Sequence, residues 1–375
     1  MEALVPSSRV LRTSKNPSLL HVREGRPKRL AVKAGSSRRP LFGSGCPCFS
    51  MEAILKPSAT FFLRQSLMRV WRHLEHLGRR FPRPVLTLGN FDGVHRGHQA
   101  IVRRTVELAR QVGGTALALT FEPHPVAVLM PGRAPARLMD LHTRVACLLE
   151  LGLDHVIVQR FTPAFAAIEP EPFVRQWLVD NLGLYGLVVG HRVRFGHLRR
   201  GDATLLQRLG KELGLAVEII GKVEVQGRLV SSSAVRSAIH EGKLELAEEM
   251  LGRPHTFAAR VISGHNRGKQ LGFPTANLEI RGLVLPPDGV YAVAACFDGT
   301  WRPAVANIGN NPTFADRERS LEVHILDFRG DLYGRRLWVR FVRRLRGEIR
   351  FPSVELLVEQ IRRDIAEARA LFAKL

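Results

Sequence analysis

Two histidines three residues apart, His95 and His98, stand with Gly93 and Gly97 in the stretch TLGNFDGVHRGHQA, Thr87 to Ala100. Residues three apart at a helix start share one face, so both imidazoles can turn toward the same ligand. Glycine at Gly93 and Gly97 removes the Cβ that would keep a polyphosphate off the backbone, and Gly89 opens the turn. A helix N-terminus offers unpaired N–H groups and a positive dipole end, which attract phosphate above all. A second constellation has a similar character: Ser231, Ser232 and Ser233 open a helical pattern, and Arg236 follows one turn later. Hydroxyls and helix N–H groups suit phosphate oxygens and the arginine adds a fixed charge, although an ordinary N-cap with a surface arginine fits that spacing equally well. A metal held by His95 and His98 would need further ligands, and no cysteine or carboxylate cluster stands nearby. The turn does not match G-x-G-x-x-G, and GHNRGKQ (264–270) falls one spacer and one hydroxyl short of a P-loop.

The elements around these residues follow from hydrophobic period. PVLTLG (84–89) reads as a buried strand, and Ile101, Val102, Val106, Ala109 and Val112 then recur at helical spacing until Gly113-Gly114. TALALTF (115–121) reads as the next strand, so strand, turn, helix and strand begin a parallel sheet. HVIVQRF (155–161), GLVVG (186–190), a helix from Asp202 and AVEII (216–220) continue the alternation to about Leu251. Ligands of such open α/β sheets bind beyond the carboxyl ends of the strands. After Gly252-Arg253-Pro254 the texture changes to GVYAVAACF (289–297), LEVHIL (321–326) and LWVRFVRRL (337–345), separated by Gly, Pro and Asp. That pattern predicts a small antiparallel barrel or sandwich. A helix from Ser353, with Leu356, Leu357, Ile361 and Ile365 as its apolar face, is expected to pack on it. There are no internal repeats.

The chain has 375 residues, enough for two domains and an appendage, and 45% of them are hydrophobic. No apolar stretch is long enough to span a membrane. Four cysteines are too few for a disulfide scaffold, Cys46 and Cys48 lack a partner pair, and Cys147 and Cys296 sit in apolar surroundings; a reducing compartment follows. The net charge of +22 invites a nucleic-acid reading. Its distribution argues otherwise. Residues 1–67 hold 12 Lys/Arg against 3 Asp/Glu, are rich in Ser and Pro, and show no sustained period. They read as a disordered basic extension, either a transit peptide or a stretch upstream of a start at Met68. The arginines of Leu332–Arg350 alternate with apolar residues, as in strands with one wet face. No zinc-finger, helix-turn-helix or aromatic RNA-binding pattern accompanies them, so a solvated basic face toward anionic small substrates is expected, and neither nucleic acid nor membrane as partner.

The Gly-rich turn with H-x-G-H after the first strand, joined to a late S-S-S-x-x-R helix start, resembles the nucleotidylyltransferase superfamily. LGNFDGVHRGHQA, FEPHP (121–125), RFG (194–196), RRGD (199–202) and VSSSAVR (230–236) are similar to the FAD-synthetase half of prokaryotic bifunctional riboflavin kinase/FAD synthetases. GHNRGKQLGFPTANL (264–278), GVYAV (289–293), ANIGNNPTF (306–314) and LEVHILDF (321–328) are similar to the riboflavin-kinase half, in the expected order. The resemblance implies a Rossmann-like nucleotidylyltransferase domain over 68–251 and a β-barrel kinase domain with a C-terminal helix over 252–375. It implies ATP, riboflavin and FMN as substrates, Mg²⁺ as the metal, and a cytoplasmic or, given a transit peptide, organellar enzyme; the oligomeric state stays open. In the kinase half it assigns Gly268, Thr275 and Asn277 to ATP and Mg²⁺, and Glu322 as base on the ribityl 5′-hydroxyl. In the other half it assigns Gly89, Asn90, Asp92, Gly93, His95, Gly97 and His98 to ATP, with Ser231, Ser232, Ser233 and Arg236 gripping the phosphates from the other side. One departure stands out: in VVGHRVRFG the family usually carries an acidic residue or Asn at the position of Arg192 and an aromatic at that of Val193. The alternative of a kinase whose synthetase half is weakened or inactive therefore stays open.

Overall fold

The structure is a computed structural model and describes residues 69–264, 268, 271–310 and 319–374. The basic extension expected over 1–67 lies outside the described residues. Short β-branched runs form β1 (Val70–Arg72), β2 (Val85–Leu88), β3 (Ala116–Glu122), β4 (His155–Arg160), β5 (Gly186–Gly190) and β6 (Ala216–Ile220). All neighbours run parallel, in the order β1-β4-β3-β2-β5-β6. Connections between parallel strands need crossovers, and α1 (Arg96–Gln111), α2 (Leu141–Glu150), α3 (Phe173–Asn181) and α4 (Ala203–Leu213) supply them. Leu86, Leu117 and Leu187 face one apolar layer, while Val85, Ala116 and Val188 face the other. Strands buried on both faces read as continuous apolar runs, which is why the sequence shows them so clearly. Because β2 lies between β3 and β5, the chain leaves β2 toward one edge and returns on its other side. The crevice beyond the carboxyl end of β2 is the switch point of the sheet, and the Gly-rich turn begins there.

A short hairpin of β7 (Glu224–Val225) and β8 (Arg228–Leu229) precedes α5 (Ser232–His240) and α6 (Leu244–Leu251). The rest of the chain is antiparallel: β9 (Thr256–Ile262), β10 (Ala276–Leu278), β11 (Gly289–Cys296), β12 (Trp301–Asn310), β13 (Arg319–Ile325) and β14 (Arg336–Arg346). Their order β10-β13-β12-β11-β14-β9 closes on itself, so of barrel and sandwich the chain forms the barrel. Phe257, Tyr291, Val293, Val323 and Phe341 fill its interior.

The closing helix, α7 (Val354–Ala373), is capped by Ser353 as expected, but its packed face is shifted. Leu356 is 47% exposed, whereas Asp364, Ala368, Leu371 and Phe372 are buried. Leu357, Ile361 and Ile365 line up with the latter at helical spacing, and Leu356 sits off that stripe. The basic segment also departs from a plain solvated face. Arg346 pairs with Asp364 at 2.8 Å, Arg336 pairs with Asp140, and Arg340 lies 4.2 Å from the centre of the Trp301 ring. Long arginine stems cover apolar surface while their planar heads find carboxylates and rings, so part of this charge is structural.

Sheet and barrel meet through main chain as well as side chains. The Arg137 N–H donates to the Gly282 carbonyl at 2.7 Å and the Val284 N–H donates to the Arg137 carbonyl at 2.9 Å, a parallel bridge. Leu138 and Val284, both buried, pack in the apolar cluster built on α5 and α6. His255 donates from Nε2 to the Val284 carbonyl at 3.1 Å. Among the described residues no helix is long and apolar enough to cross a membrane.

Candidate active sites

The turn that leaves β2 is wound against the usual preference of its residues. Phe91, Gly93 and Val94 have φ of 49°, 86° and 39°. For a bulky or β-branched residue such a conformation costs on the order of 1–3 kcal/mol and persists only where the surroundings enforce it. The surroundings here are dense. The Leu138 N–H donates to both oxygens of the Asp92 carboxylate at 3.0 and 3.2 Å, and Arg236 pairs with the same carboxylate at 2.6 Å. Ser232 Oγ donates to the Asp92 carbonyl at 2.8 Å. The Arg253 guanidinium donates to the carbonyls of Gly93 at 2.7 Å and Val94 at 3.2 Å, and Gln99 Nε2 donates to that of Val94 at 2.9 Å. Gly93 is required on two counts: its φ is positive, and a Cβ there would stand 2.6 Å from Leu138 Cδ1. On the far side, Arg144, only 4% exposed, donates to the Asn90 carbonyl at 2.8 Å and pairs with Glu122 at 2.6 Å. The Asn90 amide nitrogen lies 3.2 Å from His124 Nε2.

His95 caps α1: its Nδ1 accepts the His98 N–H at 3.3 Å, so its own ring proton sits on Nε2 and is free to donate. The two rings stack with centroids 3.7 Å apart and planes 16° from parallel. A Cβ on Gly97 would come within 3.2 Å of the His95 ring, so glycine there leaves the ring its position. Burial, with Arg253 and then Arg236 nearby, lowers the pKa of His95 to about 4. Burial, with His95 and Arg253, pushes His98 well below its ordinary value, and burial likewise lowers His124. All three are neutral donors or acceptors near pH 7, not cations. Among the described residues, His98 Nδ1 is buried without a hydrogen-bond partner. The serines divide. Ser231 caps α5 by accepting the Ala234 N–H at 3.2 Å, Ser232 is tied to the turn, and Ser233 is exposed. Arg236 spends two of its donors on Asp92 and on the Ala136 carbonyl. Thus the two sequence constellations do meet, and they meet by bonding to each other.

The second site lies on the outer face of the barrel. Along β13, Leu321, Val323 and Ile325 point inward and are buried, which turns Glu322 and His324 outward. Glu322 stands opposite Asn277 on β10 and opposite Asn307 on β12, so three strands present one polar row. The Thr275 hydroxyl donates to Glu322 Oε2 at 3.1 Å, and His324 Nδ1 donates to the Pro274 carbonyl at 2.8 Å, anchoring the segment that carries Thr275. A Cβ on Gly268 would collide with the Phe273 carbonyl and approach the Thr275 hydroxyl, so a glycine is needed there. Hydroxyl, amide and carboxylate oxygens are the donors a hard cation such as Mg²⁺ takes alongside substrate phosphates. Among the described residues no group of three His, Cys, Asp or Glu side chains could by itself hold a metal.

Sequence reading missed Arg253, Arg144 and Asn307. The last was detectable, because Ala306 and Ile308 alternate with it in a strand-like run. It also missed an aromatic wall beyond β3 and β4, where Phe121, Phe161 and Phe165 meet with centroids 5.7–5.9 Å apart. A cleft of about 490 Å³, lined by Phe165, Trp177, Gln159 and His73, adjoins it. Arg192 is exposed in the loop after β5, and Val193 packs partly buried against the sheet core.

Residues 79–234 match the family of FAD synthetases, and residues 251–372 that of riboflavin kinases. A bifunctional riboflavin kinase/FMN adenylyltransferase from Pseudomonas fluorescens is 44% identical over 307 residues, 82% of this chain and 98% of that protein. Proteins of the same description from Escherichia coli (strain K12) and Bacillus subtilis (strain 168) are 42% and 34% identical, over 77% and 78% of this chain and 92% and 93% of their own lengths. The crystal structure of a macrolide-efflux protein from Streptococcus pneumoniae is similar with a TM-score of 0.71 at 29% identity, covering 80% of this chain and 99% of that one.

Proposed function

The chain belongs to the family of bifunctional riboflavin kinase/FMN adenylyltransferases, and we propose how its two halves divide that work. Residues 252–375 convert riboflavin and ATP to FMN and ADP. Residues 68–251 convert FMN and ATP to FAD and pyrophosphate. The observation that carries this division is that Thr275, Asn277 and Glu322 converge on barrel strands, while His95 and His98 stack at a helix start in the sheet.

In the barrel, Glu322 takes the proton of the ribityl 5′-hydroxyl as its oxygen attacks the γ-phosphorus of ATP and ADP leaves. Positioning and charge neutralisation do most of the work in phosphoryl transfer, so a carboxylate fixed on a paired strand suits this role. Thr275 and Asn277, with Gly268 giving room, would hold Mg²⁺ and the ATP phosphates. Bound Mg²⁺ neutralises phosphate charge. Asn307, in the same row, orients Glu322 or the ribityl chain.

In the sheet, an oxygen of the FMN phosphate attacks the α-phosphorus of ATP, the bond to the bridging oxygen breaks, and pyrophosphate leaves. FMN itself is the nucleophile, so no covalent enzyme intermediate forms. The His95 Nε2–H, His98 and the free N–H groups at the start of α1 donate to the phosphate oxygens; such preorganised donors stabilise developing charge without reorganising. Asn90, Asp92 and Gly93 shape the turn, and Gly89 and Gly97 leave it open. Arg236 keeps further N–H donors for phosphate after fixing Asp92, with Ser231, Ser232 and Ser233 around the start of α5. The aromatic wall of Phe121, Phe161 and Phe165 offers a stacking surface for the flavin ring. The free thiols Cys147 and Cys296 favour a reducing compartment such as the cytoplasm.

The test supplies riboflavin and FMN separately to His98→Ala and Glu322→Gln and separates the products chromatographically. One reaction per half requires each variant to lose one product and keep the other. Equal loss of both products by a folded variant would refute the division.

A further inference from the structure

Arg253 stands in the four-residue link between α6 and β9, outside both constellations that the sequence offers. Its guanidinium nevertheless reaches back to the strained turn and donates to the carbonyls of Gly93, Val94 and Leu251. We infer that Arg253 is a positioning residue for adenylyl transfer, holding the Gly93 and Val94 carbonyls so that the turn presents its N–H groups and His95 to the ATP phosphates. This rests on the reading that FMN is adenylylated at this turn.

Three observations carry it. Within one trans peptide the C=O and the following N–H point in opposite directions. Securing the Val94 carbonyl on Arg253 therefore aims the His95 N–H the other way, and His95 is the cap from which α1 starts. One of the held residues also resists its conformation: Val94 is β-branched with φ of 39°. Without donors on its carbonyl, the turn would relax toward ordinary dihedrals and carry the cap with it. Finally, Arg253 differs from Arg236 in its partners. Arg236 is neutralised by Asp92, whereas the hydrogen bonds of Arg253 go to carbonyls, so its charge stays available to the turn. Its field acts on His95 together with burial and Arg236. The planar fork matters, because a lysine ammonium cannot reproduce the spread of a guanidinium over several carbonyls.

The experiment compares Arg253→Met and Arg253→Lys with the parent in the full chain. FAD formation from FMN is measured with kcat and KM for ATP resolved, riboflavin phosphorylation serves as a check on folding, and the imidazoles are titrated by NMR. The groups facing His95 are His98 on α1, Arg236 on α5 and Arg253. Arg253→Met is expected to lower kcat/KM for FAD formation by about 10²-fold, chiefly in kcat, as misplacement near a reacting centre does. The His95 pKa should rise from about 4 in that variant. Arg253→Lys, which keeps the charge, should hold the His95 pKa near the parent's and recover part of the rate. Riboflavin phosphorylation should be unchanged in both. FAD formation within twofold of the parent in Arg253→Met would overturn the inference. So would an equal loss of both reactions, or a lost rate with the His95 titration unmoved, since packing alone would explain either. If instead His98→Ala leaves FAD formation intact, the assignment of the turn fails rather than the role of Arg253.

Discussion

The two sites of this chain are positioned by opposite means. On the barrel, Asn277, Glu322 and Asn307 face one another because antiparallel register puts them opposite, and the strands that carry them are in ordinary pairing. On the sheet, the Gly-rich turn contains two non-glycine residues with positive φ and keeps its shape through Leu138, Ser232, Arg236, Gln99 and Arg253. A ladder specifies its own side chains, whereas a strained turn borrows its geometry from neighbours far away in sequence. Damage to the barrel site should therefore be chemical and local, while damage to the turn should also cost stability.

The sharpest probe of that contrast is Glu322→Gln, which keeps shape and register but removes the proposed base. FMN formation should fall by roughly 10²–10⁴, with FAD formation from supplied FMN and the urea midpoint unchanged. A lowered midpoint would show that the carboxylate helps hold the barrel. His98→Ala removes a donor and half of a ring stack; FAD formation should drop by about 10²–10³ while riboflavin is still phosphorylated. Gly93→Ala should act on fold as well as rate. The new Cβ meets buried Leu138 at a positive φ, so a loss of about 2–4 kcal/mol is expected from strain and overpacking. Denaturant unfolding measures it, and a neutral result would mean the turn relaxes freely.

The last effect is confined to acid. His95 in the turn and His255 at the barrel entrance both have pKa values lowered to about 4, first by burial. Unfolded histidine titrates near 6.5, so between those values the unfolded chain binds more protons than the folded one. Stability should accordingly be full above about pH 6.5 and decline as pH falls toward 4, by up to about 1.4 kcal/mol per pH unit for each such group. His95→Asn should remove one proton from that slope. An unchanged slope in urea melts across the range would place the titration elsewhere.

What the sequence revealed tracks how local the determinant is. GLVVG coincides with β5, Asp202 and Ser353 cap the helices expected from them, and Ser231 opens α5. These features depend on a few neighbouring residues. The strand pattern by itself could not separate barrel from sandwich, because closure depends on β9 pairing with β14, a contact across most of the second half; only the family resemblance pointed to the barrel. A phosphate role for Arg236 was proposed from spacing, yet the bond that orients it runs to Asp92, 144 residues away. Arg253 was visible only as part of a Gly-Arg-Pro boundary, since no local pattern marks a side chain that serves distant carbonyls. The departure at Arg192 and Val193 lies a few residues before Leu198 and Arg199, which have positive φ, a conformation no run of residue types would have announced.

The bridge between Arg137 and Leu283 bears on how this chain could be divided. Cutting it at the Gly252 link would release two pieces whose covalent bond is gone but whose main-chain pairing is not. Each alone would show water an unpaired stretch of backbone beside a bared apolar residue, Leu138 on one and Val284 on the other. Such pieces are complementary and sticky, inclined to re-form the parent from two polypeptides or, if kept apart, to aggregate. Either half working alone would need a new cover where its counterpart had been. The tether at Gly252 is thus the lesser part of what unites the two catalysts.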